Sequence, residues 1–190
     1  MQSFASETSR LPEADRRAIA QAITPSTLDA IAVAPLLGWL PFSVNLSYTR
    51  ALATQLGRER THEYFRRLLL RVSETPLLHG FVRSALRATF GNPALSLPWL
   101  GKGWELIFRD CGRMANVKRR TETGAMFELH GLPAEALMDR YWVDSVASAV
   151  SGLAELLDHH ATVFASEMDP RSGTAIFSGT WRARPGVSAR

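Results

Sequence analysis

The chain lacks the residues from which most recognisable metal sites and disulfide frameworks are built. Its 190 residues include one cysteine, Cys111, which excludes an internal disulfide and a cysteine-rich zinc site. The five histidines show no HExxH or Cys/His spacing, so no metal ligand set is visible. We therefore expect no metal and no cofactor. The low cysteine content favours a reducing, cytoplasmic location.

Common catalytic motifs are absent as well. There is no GxxxxGK[ST] loop and no GxGxxG after a strand, and Ser178–Gly179 falls in a predicted strand rather than at a strand–helix elbow. The adjacent His159 and His160 lie at a predicted helix end, where interaction with the helix dipole explains them without catalysis. No nucleophile–base pair is visible, so we expect the protein not to be an enzyme.

Long hydrophobic runs are missing too. The longest largely apolar stretch, residues 30–42, is too short to span a membrane and is interrupted by Pro35, Gly38 and Pro41. The first residues contain no apolar signal core. With 46% apolar and 21% charged residues, the composition is that of one soluble domain with a continuous core. We divide it into a helical N-terminal extension (1–40), an α+β domain (41–184) and a disordered tail (185–190).

The longest helical pattern runs from Pro133 to His159 and organises the C-terminal half. Its apolar side chains recur at steps of three and four residues, as on one face of a helix. Strand-like alternation precedes and follows it, at 113–121, 125–130, 161–168 and 174–182. The N-terminal half shows helical periodicity at 13–23, 43–56, 58–72, 77–90 and 97–109, and Gly57 is expected to end one of these helices. The predicted fold is therefore α+β, with a helical N-terminal half followed by a four-stranded antiparallel sheet (ββαββ) on the long helix.

Small side chains form a second stripe on the long helix, at Ser145, Ala149 and Gly152. Glycine in a helix interior costs about 1 kcal/mol against alanine, so Gly152 indicates close approach of another element or of a ligand. Large aromatic side chains suited to an apolar pocket are also present. The candidate ligand-binding residues are Trp104, Tyr141, Trp142, Ser145, Ala149, Gly152 and Trp181. Ordinary core packing is the alternative for all of them, and for Cys111 we expect a buried, unreactive thiol rather than an activated one.

Positive charge is concentrated in the middle of the chain. Residues 50–120 contain 14 Lys/Arg against five acidic residues, whereas residues 121–190 contain five against nine. The helix 58–72 is the most basic, and its candidate partner-binding residues are Arg60, Arg66, Arg67 and Arg71. Acidic residues interleave with them at helical spacing, which also fits a solvated surface helix.

The predicted sheet is covered by helices on one side only. Apolar residues such as Phe164 and Phe177 are then candidates to need cover on the other side or at the edges. We therefore expect a homodimer or a tight complex with a protein partner.

Four segments together resemble a known group of proteins. They are LPFSVNLSYTRALATQLGRERTHEYF, RMANVKRR, LMDRYWVDSVASAVSGLAELL and FSGTW, which span most of residues 40–182. Their order and spacing resemble an uncharacterised myxobacterial paralogous family. That family is similar to the superfamily of heme-NO-binding domains, 4-vinyl-reductase domains and TRAPP subunits. The resemblance implies helices on an antiparallel sheet, an apolar pocket under the long helix, and frequent dimerisation.

The chain departs from the metal-binding members of that superfamily. The zinc-bearing vinyl-reductase proteins use several cysteines, whereas this chain has Cys111 alone. Heme-NO sensors carry a proximal histidine and a Tyr-x-Ser-x-Arg element, and that pattern is absent from this sequence. Neither zinc nor heme is therefore carried over.

The sequence leads to two functional hypotheses. The first is a non-enzymatic cytoplasmic sensory or adaptor module, acting in signalling, that binds a small apolar ligand or a protein partner. The alternative is a protein that binds nucleic acid or an acidic surface through the basic region 50–120. We prefer the first, and expect nucleic-acid binding less than binding of a ligand or partner.

Overall fold

The computed structural model describes residues 6–33, 40–89, 92–115 and 119–185. The helices that the structure describes from end to end are α1 (Glu13–Ala22), α2 (Pro25–Val33), α3 (Phe42–Glu74), α4 (Pro76–Thr89), α5 (Pro93–Ile107), α6 (Ala134–Met138) and α7 (Arg140–Glu155). The strands are β1 (Arg113–Met114), β2 (Arg119–Arg120), β3 (Gly124–His130), β4 (His159–Asp169) and β5 (Thr174–Ala183). The predicted α+β fold is thus confirmed. Residues 186–190, most of the predicted disordered tail, lie outside the described residues, as do residues 34–39.

Helix α3 bends at Gly57, where the sequence predicts one helix to end and another to begin. Gly57 has φ 75° and ψ 171°, a conformation that residues with a Cβ rarely adopt. The Thr61 hydroxyl donates to the Gly57 carbonyl over 2.7 Å and so bonds one of the carbonyls freed by the bend. The chain therefore continues as helix on both sides of the glycine.

The sequence predicts one long helix from Pro133 to His159, and this prediction is wrong about the continuity of the helix and about its C-terminal end. Asp139 interrupts it with φ −101° and ψ 98°, so α6 ends before this residue and α7 begins after it. The Asp139 carboxylate accepts a hydrogen bond from the backbone N–H of Trp142 over 3.0 Å, as an N-cap does, and it also pairs with Arg50 of α3. At the other end, His159 and His160 begin β4 instead of ending a helix.

The sheet is antiparallel throughout. Strands β1 and β2 both pair with β3, followed by β5 and then β4 at the edge. The predicted first strand, 113–121, is thus represented by two short strands on the same side of β3, with residues 116–118 outside the described part. The sheet has four strand positions, as the sequence predicts.

The larger of two core clusters of the described residues lies between the sheet and α7. Phe127 and Phe177 face each other across β3 and β5, with their rings stacked at 5.2 Å between centroids. Phe177 is 0% exposed, so the expectation that it needs an external cover is wrong: its side chain belongs to the core under α7. Phe164, on the edge strand β4, is 50% exposed.

Helix α7 lies between the sheet and α3. An ideal Cβ at Gly152 would stand 2.8 Å from the carbonyl oxygen of Arg66, so the predicted close approach is confirmed and α3 is the approaching element. On the far side of α3, Ile19 and Ile23 pack against Tyr48, Leu52 and Phe65 and form a second core cluster. Among the described residues, no helix combines the length and apolar character that crossing a membrane requires.

Candidate functional site

A cavity of about 660 Å³ lies between α7 and the helices that precede the sheet. Helices α3, α4 and α5 provide most of its wall, with representative side chains Val44, Leu68, Leu86 and Leu100. From α7, Trp142, Ser145, Val146, Ala149 and Val150 face it. The wall is mostly aliphatic and aromatic, which is the usual character of small-molecule pockets.

Four aromatic rings make up one part of this wall. Trp104 and Phe108 are stacked with centroids 4.2 Å apart, and Trp142 meets both rings edge-on at 6.3 and 6.2 Å. Phe42 meets Trp142 edge-on at 5.3 Å. Such contacts add about 0.5–1.5 kcal/mol each beyond the area that the rings bury. The aromatic part of the wall is therefore preformed.

Hydrogen bonds fix the two buried indole rings. Trp104 Nε1 donates to the carbonyl of Cys111 over 3.0 Å and to that of Gly112 over 3.2 Å. Trp142 Nε1 donates to Oδ1 of Asn45 over 2.9 Å, which ties α7 to α3 across the cavity wall. Since a buried indole N–H without a partner is costly, these bonds determine how both rings are turned.

The serine and threonine hydroxyl groups of the wall are already used within the chain. Each donates to a carbonyl three residues earlier, at distances of 2.5 to 3.0 Å; these groups belong to Ser73, Thr75, Thr89, Ser96 and Ser145. Their hydrogens are consequently not available to a ligand. The wall behaves as a more apolar surface than its composition indicates.

Four of the predicted ligand-binding residues line the cavity, namely Trp104, Trp142, Ser145 and Ala149. Three lie elsewhere. Tyr141 is 48% exposed at the start of α7, and Gly152 is covered by α3. Trp181 donates from Nε1 to the carbonyl of Glu122 and borders a separate cavity of about 40 Å³. Whether any of the seven contacts a ligand stays a prediction.

Apart from Trp104, the sequence reasoning missed the wall residues from α3, α4 and α5. Asn45, Leu86 and Trp99 sit on helices whose periodicity predicts a buried face, and nothing in that periodicity distinguishes a filled core from a cavity. Helix α5 begins at Pro93, earlier than the predicted start at 97, and its N-cap is Asn92, whose Oδ1 accepts from the backbone N–H of Ala94 over 2.9 Å.

Each of the four predicted partner-binding arginines is paired with a carboxylate of the same chain. Arg60 pairs with Asp15, and Arg71 pairs with the buried Glu7. Arg66 and Arg67 share Glu63, and Arg66 also pairs with Glu155 at the end of α7. Much of the positive charge on the second half of α3 is therefore compensated within the fold.

Cys111 lines the cavity and is almost fully buried. Burial raises the pKa of its thiol to about 12. A thiolate, the nucleophilic and metal-binding form, is thus strongly disfavoured at neutral pH. This agrees with the expectation of a buried, unreactive side chain.

The comparisons with known proteins give a structural likeness without a sequence family. No protein-family model matches the chain, and no curated protein matches it. The fold is similar to the Fe(II) unliganded H-NOX protein from K. algicida, with a TM-score of 0.64 and 12% identity over 98% of both chains. It is also similar to an oxygen-binding H-NOX domain related to soluble guanylate cyclases, with a TM-score of 0.58 and 10% identity over all of this chain and 96% of the other.

At these identities the likeness establishes the fold. It agrees with the broad resemblance to heme-NO-binding domains, whereas the narrower resemblance to a myxobacterial family has no support from the comparisons.

The side chains of the cavity do not fit heme. None of the five histidines is among the described residues of the wall. Of the other potential iron ligands, Cys111 is held as a thiol, and Met114 offers only a neutral thioether, which binds heme iron beside a histidine. The Tyr48 hydroxyl is engaged with those of Thr8 and Tyr64. Burial also raises the pKa of Tyr48, which disfavours the phenolate that would bind iron. Arg109 is the single cation of the described wall, against the two propionates that heme carries.

Proposed function

We propose that the protein is a non-enzymatic sensory or adaptor module that binds a small apolar molecule in the cavity between α7 and the helices α3, α4 and α5. The cavity carries this proposal. Its volume of about 660 Å³ lies within the roughly 300–1,000 Å³ typical of ligand sites. The atoms that line this partly open cavity lack some of the contacts that close packing supplies elsewhere in the core. An apolar molecule in the cavity would supply those contacts.

The similar structures support a ligand-binding role without supplying the ligand. One of them is an oxygen-binding H-NOX domain, so this fold binds a small molecule in at least one other protein. In the present chain the wall offers apolar area, aromatic rings and no suitable iron ligand among its described residues. We therefore propose direct binding of an organic ligand rather than gas binding by heme.

The alternative, a nucleic-acid or acidic-surface binder, is supported by the net charge of residues 50–120 alone. The ion pairs of Arg60, Arg66, Arg67 and Arg71 weaken it because phosphate groups would compete with carboxylates already in place. Salt separates the two hypotheses. Affinity for phosphates falls steeply with salt, whereas affinity for an apolar ligand does not.

The proposal is tested by titrating the purified protein with N-phenyl-1-naphthylamine, a neutral apolar dye, and in parallel with hemin. We expect saturable dye fluorescence at one dye per chain, independent of salt, and quenching of tryptophan emission because Trp104 and Trp142 line the cavity. Native mass spectrometry of the same sample reports any co-purified molecule. The absence of saturable dye binding, or a coordinated Soret band at one hemin per chain, would overturn the proposal.

The proposed function also includes association with a second protein chain. We propose a homodimer or a complex with a protein partner, now with Phe164 alone of the two phenylalanines as an exposed apolar group. Light scattering at tens of micromolar tests it, and a strictly monomeric species without any partner would contradict it.

A further inference from the structure

The side-chain amide of Asn45 is a polar group of the cavity wall, and its hydrogen bond determines the positions of its oxygen and its nitrogen. Asn45 lies in the first turn of α3 and lines the cavity beside Trp142. Its side-chain oxygen is 2.9 Å from Trp142 Nε1. An indole nitrogen is a donor only, so the group that faces it must be an acceptor. That contact therefore assigns the oxygen of the amide to Trp142 and leaves the nitrogen for another partner.

The amide nitrogen of Asn45 has no hydrogen-bond partner among the described residues. It carries two N–H donors, and both remain available once Oδ1 is bonded to Trp142. Trp99, on the α5 side of the wall, likewise has an indole N–H without a bond in the described part of the chain. Both unused side-chain groups are donors.

Charged groups are scarce around these donors. In the described wall the one ionisable side chain that is charged at neutral pH is Arg109, which is exposed and already interacts within the chain. There is no carboxylate among the described wall residues to accept from a cationic ligand. Trp142, which bonds to Asn45, is itself in edge contact with the ring of Phe42, so apolar surface lies close to the amide. A cationic ligand group would lose its hydration here without a counter-ion, which is costly. An anionic group would meet, in the described wall, only Arg109, which is exposed and already interacts within the chain.

We propose that the ligand is an uncharged, largely apolar molecule that carries a hydrogen-bond acceptor of the carbonyl type, and that Asn45 Nδ2 donates to this acceptor. This inference rests on the proposed function, because it specifies the chemistry of the molecule in the same cavity. Asn45 is then the residue that orients the ligand, and the aromatic rings bind its apolar body.

Two naphthalene probes test the inference. The first is 6-propionyl-2-(dimethylamino)naphthalene, a neutral aromatic ketone, and the second is 2-(dimethylamino)naphthalene, which lacks the carbonyl. Their dissociation constants are measured for the native chain and for Asn45→Leu, which removes the donor at similar volume. One hydrogen bond contributes about 0.5–1.5 kcal/mol. We therefore expect the preference for the ketone to fall about 3–10-fold in Asn45→Leu, with the affinity for the second probe unchanged.

Asn45→Leu removes the hydrogen-bond acceptor of Trp142. If this variant does not fold, a second measurement on the native chain still tests the inference. The infrared carbonyl stretch of the ketone bound to the native chain should lie below its value in an alkane, as for a hydrogen-bonded carbonyl. An unshifted stretch, or an equal preference for the ketone in both chains, would overturn the inference while leaving the cavity as a binding site. Failure of both probes to bind would overturn the proposed function and the inference with it.

Discussion

The two sides of helix α7 carry similar small and apolar side chains but meet different surroundings. Toward the sheet, Ala147 is 1% exposed and belongs to the same core cluster as Phe127 and Phe177. Ala149, two residues later, faces the cavity of about 660 Å³. An apolar helix face therefore indicates that the face is buried, but it does not indicate whether other side chains fill the space beside it. The packed side accounts for stability, and the hollow side is the part available to a ligand.

The largest expected difference in stability is between two leucine-to-alanine substitutions, one on the packed side of α7 and one on its cavity side. Leu129, which is 0% exposed on β3, belongs to the packed core, and Leu129→Ala should lower the free energy of unfolding by about 2–5 kcal/mol. Leu86→Ala in the cavity wall should cost only about 1 kcal/mol, because that side chain already borders a void and has fewer contacts to lose. Urea unfolding measures both. Equal losses would show that the cavity side is as well packed as the sheet side.

A pair of glycine substitutions tests the contact between α7 and α3. Gly152→Ala places a methyl group 2.8 Å from the Arg66 carbonyl oxygen, so one backbone must move, at a cost of about 1–3 kcal/mol. Gly80→Ala is the matched control, since nothing lies within 4 Å of its Cβ position in α4. It should stabilise the protein by about 0.5–1 kcal/mol. Thermal unfolding distinguishes them, and a Gly152→Ala protein as stable as the native one would place α7 further from α3.

The smallest effect concerns the thiol on the cavity side. Because burial raises the pKa of Cys111 to about 12, the folded chain keeps the thiol proton at pH values where the unfolded chain, near its usual pKa of 9, has lost it. The unfolded state then binds fewer protons, so stability should decline as pH rises from about 9 toward 12, and Cys111→Ala should decline less. Iodoacetamide should also alkylate the native thiol far more slowly at pH 8 than the urea-unfolded one. Equal rates would contradict a buried thiol.

The sheet was predictable because its signals are local. Alternation along β3 and β5 identifies the face that carries Phe127 and Phe177, and glycine at position 152 indicates close approach. The break at Asp139 was missed because the apolar spacing continues through it. Its cause is a side-chain cap together with an ion pair to Arg50, 89 positions earlier in the chain.

The cavity was less predictable than the fold. Ser145 and Ala149 were proposed from helical spacing on α7, and Trp104 and Trp142 from the aromatic character that apolar pockets favour. Asn45 gave no signal, because its role depends on a hydrogen bond to Trp142 that forms only when α3 and α7 come together. The ion pairs of Arg66 and Arg71 gave no signal for the same reason, since their partners Glu155 and Glu7 are distant in sequence.

The most direct test of the account is to fill the cavity from α7. Ala149→Leu adds volume on the hollow side, and Ala88→Leu makes the same change at an exposed position of α4 as a control. Titration with N-phenyl-1-naphthylamine and thermal unfolding are measured for both. We predict that Ala149→Leu weakens saturable dye binding with little loss of stability, because the added side chain obstructs part of the cavity, while Ala88→Leu binds as the native chain does. Destabilisation of Ala149→Leu by about 1–3 kcal/mol, as for an overpacked core, with dye binding unchanged, would contradict the account.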